Sequence, residues 1–351
     1  MTLTRCRRWI FASAAAWLVL AIGGGVLLAA DVYLHHRVQN VAGVNVWGYR
    51  GPTIGAKRPN ERRVAVLGGS AAFGYGLPWN EAFPFYLERQ LNARAERGRS
   101  FRVVNLGAPG QGAFGFRFDL DDYAYLRYDV AILYEGYNDL GAADLPPAVP
   151  PRDSQNRLLW RRQSPVFALT GYFPVLPLVV REKAMAMRAG GDLDGAYRGR
   201  VIFKPGLAVR TTTAAMQQAA DVADAVGRTL GRLTAQRALD AHEAARPLDT
   251  TTWIPYTTAV VDAVRAARAR GAAAVVVTQP YASDTHVAQQ RALGAALAAA
   301  FGGDRLVRHV NLGPVLDIRD REVAYDGLHL TAKANAVVAA HLADPVLALT
   351  K

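Results

Sequence analysis

Cysteine is nearly absent from this chain of 351 residues: Cys6 stands alone, ahead of the first apolar run. No disulfide framework, no thiolate metal site and no lipid-bearing cysteine after an apolar stretch can be built from it. Metal-ligand spacings such as His-Glu-x-x-His are also missing, so the site expected here uses neither metal nor cofactor. Internal repeats and long low-complexity tracts are lacking. With 51% hydrophobic and 20% charged residues, the chain is too apolar to be disordered and long enough for one large domain or two modest ones. Acidic charge is scarce: 29 Asp and Glu stand against 41 Lys and Arg, a formal net charge of +12. That excess is mostly arginine scattered along the chain, with no aromatic-interleaved basic stripe. The distribution argues against nucleic acid as a partner and for attraction to anionic headgroups or an acidic glycan.

One long hydrophobic run is present. Trp9 to Ala30 carries no charge and is preceded by Arg5, Arg7 and Arg8, long enough to cross a bilayer as a helix. The positive-inside rule puts the N-terminus in the cytoplasm and everything after Asp31 on the far side. The run exceeds a typical signal-peptide core, and Leu28-Ala29-Ala30 is only a fair cleavage site, so a single-pass signal anchor in the inner membrane is expected, with a periplasmic domain. The expected organisation is a cytoplasmic stretch 1–8, a transmembrane anchor 9–30, a connector 31–62 and a domain 63–348 interrupted by an insertion 141–255. Oligomeric state is not legible.

Beyond the connector, short apolar runs alternate with helical periodicity. Residues 63–67, 101–106, 129–134, 273–278 and 305–310 read as strands, each ended by Gly, Asn or Gln-Pro or bounded by polar residues. Their continuous apolar character predicts burial on both faces. Phe83, Leu87 and Leu91 recur at spacing four, and Val260, Val261, Val264 and Ala267 end at Gly271, so helices lie between strands. The alternation predicts an α/β fold, a doubly wound, flavodoxin-like parallel sheet of about five strands with flanking helices. Within the insertion, Leu145 to Pro151 is proline-rich, and Met216 to Leu233 has the pattern of one amphipathic helix. Pro165 to Val180 is apolar but broken by Gly171, Pro174 and Pro177, which suits a buried, substrate-covering or interfacial segment better than a second span.

Binding sites in such sheets sit at the carboxyl ends of strands. Gly68-Gly69-Ser70 ends the first strand, where small residues let the chain turn sharply and expose a hydroxyl. Asn105 to Gly110 ends the second, and Gly136-Tyr137-Asn138-Asp139 ends the third, offering backbone N–H groups and a side-chain amide. Near the C-terminus, Asp326-Gly327-Leu328-His329 pairs a turn with a histidine three residues after a carboxylate. Taken alone, this is a solvated Asp-Gly turn beside a histidine. With a serine partner, the carboxylate would fix the proton on one imidazole nitrogen and leave the other free to accept a hydroxyl proton. Thr331 is placed to cap a final helix carrying Val337, Val338 and Leu342.

In order and spacing these four blocks resemble the SGNH (GDSL-type) hydrolase superfamily, over roughly residues 63 to 343. The resemblance implies Ser70 as nucleophile, His329 as general base and Asp326 as its orienter. It further implies an oxyanion hole of the Ser70 N–H, the Gly110 N–H and the Asn138 side chain. Gly110 is preferred to Gly107 because it matches the later glycine of the family block. Two positions depart from the pattern: Gly69 stands where the family usually has Asp, and Ala334 where a glycine often precedes an asparagine such as Asn335. Asn45 to Pro52 resembles the segment that precedes the domain in membrane-anchored members. An α/β-hydrolase would need G-x-S-x-G, and Ala72 occupies its last position. The resemblance thus implies a membrane-anchored serine esterase acting on an ester or acylated-glycan substrate. Two alternatives are an O-acyltransferase (O-acetyltransferase) acting on a cell-envelope polysaccharide and a non-catalytic envelope-binding protein with a decayed site.

Overall fold

The strand signals assemble into one parallel sheet. The computed structural model describes residues 3–134, 136–144, 164–177, 179–180 and 250–350. Strands β1 (Glu61–Gly68), β2 (Ser100–Asn105), β3 (Val130–Tyr134), β4 (Ala273–Thr278) and β5 (Val307–Asn311) lie in the order β2-β1-β3-β4-β5, all neighbours parallel. The helices, in chain order, are α1 (Leu3–Ala42), α2 (Ser70–Phe73), α3 (Phe83–Ala93), α4 (Phe116–Asp122), α5 (Pro165–Thr170), α6 (Ile254–Ala269), α7 (Asp284–Phe301) and α8 (Ala332–Leu349). The winding reverses between β1 and β3, which opens a crevice at their carboxyl ends.

Although the strands are apolar throughout, their side chains divide by alternation between two cores. Leu67, Val104, Leu133 and Val276 pack with Phe116 and Leu120 of α4, Val264 of α6 and Leu293 of α7. Val66, Ile132 and Val275 pack with the Phe83, Leu87, Leu91 stripe of α3 and with Val338 and Leu342 of α8. Helices therefore cover both faces. The expectation of two-sided burial holds for β1, β3 and β4 but not for β2 and β5, which expose part of their length. As outer strands they lie at the rim of the helical layers, where cover is thinner. Gly271, at φ +78°, follows the Arg270 cap of α6, and the Thr331 hydroxyl accepts the Ala334 N–H at 3.4 Å at the start of α8.

The N-terminal helix α1 is continuous for 40 residues, and its Arg7–Arg37 portion is long and apolar enough to cross a membrane. It remains helical past the apolar run to Ala42, where Asp31 and His35 are buried against the domain. The chain then returns through an irregular stretch in which the Arg50 N–H donates to Asn105 O at 2.9 Å, against the end of β2. Leu145 to Pro151, the helix expected over Met216 to Leu233, and most of the insertion lie outside the described residues.

Candidate active site

β1 ends at Gly68 and α2 begins at Ser70, so only Gly69 separates strand from helix. Glycine at 68 is required by space: a Cβ there would lie 2.2 Å from Tyr134 O and 2.6 Å from Ala72 Cβ. Gly69 offers α2 no side-chain cap, and the turn is held instead by backbone and by neighbours. Phe73 N–H donates to Gly69 O at 3.0 Å. The Arg50 guanidinium, buried beneath the turn, donates to Phe73 O, to Gly74 O at 2.8 Å and to Leu77 O, and lies 4.1 Å from the Phe73 ring centroid. Burial pushes its pKa down to about 10, which leaves it a cation at neutral pH beside the last carbonyl of α2.

The second half of the site lies on the loop between β5 and α8, closed by the antiparallel bridge Ala324 to Leu330. Gly327, at φ +80°, lets the chain double back. Asp326 Oδ1 then accepts the N–H groups of Leu328 at 3.0 Å and His329 at 2.7 Å, while Oδ2 lies 2.6 Å from His329 Nδ1. His329 Nε2 lies 2.8 Å from Ser70 Oγ, across 259 positions of sequence. A carboxylate only accepts, so the proton sits on Nδ1 and Nε2 faces the serine hydroxyl as an acceptor. Burial raises the Asp326 carboxyl. Its hydrogen bond and attraction to His329, with the two backbone N–H donors, outweigh that and hold it below the usual carboxylate range. Tyr75 and Tyr325 flank the imidazole, with ring centroids 5.0 and 6.1 Å from it, and the Tyr325 hydroxyl donates to Tyr75 O at 2.8 Å. Beneath this loop, Asn335 Oδ1 accepts the Phe83 N–H at 2.9 Å and its Nδ2 donates to Leu330 O at 3.0 Å, tying α8 to α3.

The loops after β2 and β3 complete the constellation. Asn105 Nδ2 donates to Ala72 O at 3.0 Å, and its Oδ1 accepts the Gly107 N–H at 3.0 Å. Gly107 therefore spends its N–H within the loop. The Ser70 and Gly110 N–H groups have no acceptor among the described residues, and Gly110 sits at φ +74°. Asn138 Nδ2 donates to Gln111 O at 3.0 Å, and buried Asp139 accepts the Ala113 N–H at 2.9 Å, so the two loops are joined. Burial pushes Asp139 up to about 7, the Ala113 hydrogen bond opposing in part. Behind Asn138, Tyr137 N–H donates to Gln279 Oε1 at 3.0 Å and Gln289 Nε2 donates to Gly136 O at 3.1 Å.

Ser70, His329 and Asp326 thus form one hydrogen-bonded line, and the Gly110 and Asn138 loops are fastened to each other. The sequence reading missed Tyr75, Tyr325 and the two glutamines. The tyrosines had one signal, aromatic residues within five positions of Ser70 and His329; the glutamines had none. His286 and His309 lie outside the line. His286 is buried, and burial lowers its pKa to about 4; His309 lies exposed on the outer strand β5, where its Nε2 meets Thr278 Oγ1 at 2.9 Å. Among the described residues no group of three His, Cys, Asp or Glu is placed to hold a metal ion. A cavity of about 440 Å³ lies elsewhere, along β2, Trp79 and the connector, and none of the three aligned residues lines it.

No protein-family model and no curated protein matches this sequence. Among solved structures the chain is similar to the psychrotrophic esterase EstA from Pseudoalteromonas sp., at 10% identity and a TM-score of 0.42, covering 82% of this chain and 97% of that one. TesA is similar at 14% identity and a TM-score of 0.42, covering 82% and 98%. Axe2, an acetylxylan esterase from Geobacillus stearothermophilus, is similar at 10% identity and 0.42, covering 81% and 94%. The fold itself rests on strand order and register: five parallel strands flanked by helices on both faces, the architecture that the resemblance to SGNH hydrolases implies.

Proposed function

We propose that the protein is a serine hydrolase of ester bonds, working through Ser70, His329 and Asp326 and held in the membrane by α1. The observation that carries this is the continuous hydrogen-bonded line from Asp326 Oδ2 through both imidazole nitrogens to Ser70 Oγ. Nε2 takes the serine proton as Oγ attacks the ester carbonyl carbon, and Asp326 stabilises the imidazolium that forms. The Ser70 and Gly110 N–H groups and the Asn138 amide donate to the developing oxyanion. The imidazolium then gives its proton to the departing alkoxide, leaving an acyl-enzyme. Water attacks that acyl carbon, gives a proton to His329, and releases the acid as Ser70 recovers its proton. A positioned base contributes about 10²- to 10⁴-fold and one oxyanion donor about 10²- to 10³-fold.

The anchor reading is supported by the apolar α1 and its N-terminal arginines, which favour a cytoplasmic N-terminus and a periplasmic domain. Labelling with a fluorophosphonate probe tests the hydrolase: wild type should label and Ser70→Ala should not. Equal labelling of the two would overturn it. Free acid released without any glycan is the expected product, and acyl transfer that requires glycan would make the protein an O-acyltransferase instead.

A further inference from the structure

Helix α1 is exposed along the whole apolar run, yet at Asp31 and His35 it becomes buried, 5% and 1% exposed. What buries it is the irregular chain after α5. Asp31 Oδ1 accepts the N–H groups of Val175 at 2.9 Å and Leu176 at 2.5 Å, its Oδ2 accepts the Tyr172 hydroxyl, and His35 Nε2 bonds to Phe173 O. The attachment point lies at the first residue past the apolar run and one turn beyond it. With a rise of 1.5 Å per residue, that is within about 8 Å of the end of the hydrocarbon-spanning stretch. The headgroup zone on each side of a bilayer is about 5–7 Å deep. Residues 172–176 are therefore fixed at headgroup depth by four hydrogen bonds to the spanning helix itself.

The chain on either side of this attachment carries apolar side chains left largely or half exposed. Leu169 is 85% exposed, Val180 58% and Val166 48%, while the outward side of α1 at the same level shows Tyr33, 62% exposed. Tyr125, next to Gly171 along with Trp47, is also half exposed. Apolar side chains and tyrosines at headgroup depth are what an interfacial segment presents to lipid.

We propose that residues 165–180 form a second, interfacial membrane contact, with Leu169, Val166 and Val180 inserted into the outer edge of the same leaflet from which α1 emerges. The domain is then seated on the bilayer rather than hung from a flexible tether. This rests on the reading that α1 spans the membrane. The occupant is lipid because the four hydrogen bonds set the depth of this segment relative to the apolar run.

The full chain, with Cys6→Ser, is reconstituted in phosphatidylcholine vesicles containing a shallow or a deep doxyl-labelled lipid. Single-cysteine variants Leu169→Cys, Leu18→Cys and Arg97→Cys each carry an environment-sensitive fluorophore. The expected result is loss of emission at position 169 with the shallow quencher, loss at position 18 with the deep quencher, and none at the exposed Arg97 turn before β2. Quenching at 18 without quenching at 169 would overturn the seat while leaving the anchor intact. No quenching at 18 would overturn the anchor and the seat with it.

Discussion

Replacing Asp326 with Asn separates charge from shape at the site. The Asn carbonyl can keep both backbone bonds that Asp326 Oδ1 now makes, to Leu328 N–H at 3.0 Å and His329 N–H at 2.7 Å, and an Asn-Gly pair suits the same turn. The amide NH2 then occupies the place of Oδ2, 2.6 Å from His329 Nδ1. A donor there forces Nδ1 to accept, which moves the ring proton to Nε2, opposite Ser70 Oγ. The base is thereby blocked while the loop keeps its form. Where the same exchange reverses the tautomer in a Ser-His-Asp site, the loss is about 10⁴-fold in kcat, or about 5 kcal/mol of barrier. The stability cost is the difference between a charge-assisted and a neutral hydrogen bond, about 1–2 kcal/mol. Activity and stability should therefore part company. The assay is kcat/KM for a p-nitrophenyl ester beside a thermal melt. Asp326→Asn within tenfold of wild type would refute the tautomer argument, as would a loss of activity that follows the loss of folded protein.

Asn138→Ala should lower kcat about 10²- to 10³-fold with little change in KM, as expected for a donor that acts on the oxyanion, and steady-state kinetics check it. Gly68→Ala forces a methyl against Tyr134 O and should destabilise by about 1–3 kcal/mol, read as a lower denaturation midpoint; an unchanged midpoint would contradict the packing described. Asp139 is raised in the folded protein to about 7, so its contribution to stability is complete below the ordinary carboxylate range and is lost as pH rises toward 7. Asp139→Asn has no such titration, so its stability relative to wild type should climb across that window in pH-dependent melts, and a flat difference would sink the burial argument.

The parts of the fold carried by local pattern were legible. Each of the five strands formed within two residues of where its apolar run lay, because a short run of β-branched and other apolar residues bounded by turn residues suits a strand of a covered sheet. Edge exposure was not legible, since nothing in the residues of 305–310 says that no strand lies beyond them. At the candidate site, the positions of Ser70, Asp326, His329, Gly110 and Asn138 could be picked out because each sits at a strand end or turn whose glycines announce it, and the structure brings the first three into one line. The supports were not. Gln279 and Gln289 reach the Asn138 segment from just past β4 and from α7, more than 140 residues away, and long-range side-chain hydrogen bonds leave no periodicity. The helical continuation of α1 past Ala30 was hidden too, because Asp31 and His35 look polar in sequence and are buried against the distant Tyr172–Leu176 segment.

The absence of Asp at position 69 takes a different meaning once the supports of the turn that carries Ser70 are considered together. An Asp there would accept an amide of the first turn of α2, but the turn is already braced at three other points. Tyr134 O presses on Gly68 from β3, Asn105 Nδ2 holds Ala72 O from β2, and Arg50 holds Phe73, Gly74 and Leu77 from the connector. Hydrogen bonds from a charged donor contribute about 1.5–3 kcal/mol each, so Arg50 alone outweighs a cap worth about 1 kcal/mol. The consequence concerns where the folding unit begins. Residue 63 is where strand periodicity starts in the sequence, yet a chain starting there would lack Arg50, the Arg50 to Asn105 backbone bond and the first residues of β1. The connector therefore belongs to the scaffold of the Ser70 turn, and through it helix α1 is joined to that turn by an almost unbroken series of hydrogen bonds: Gly43 to Gln39, Gly51 to Gly43, and Arg50 to the carbonyls that end α2.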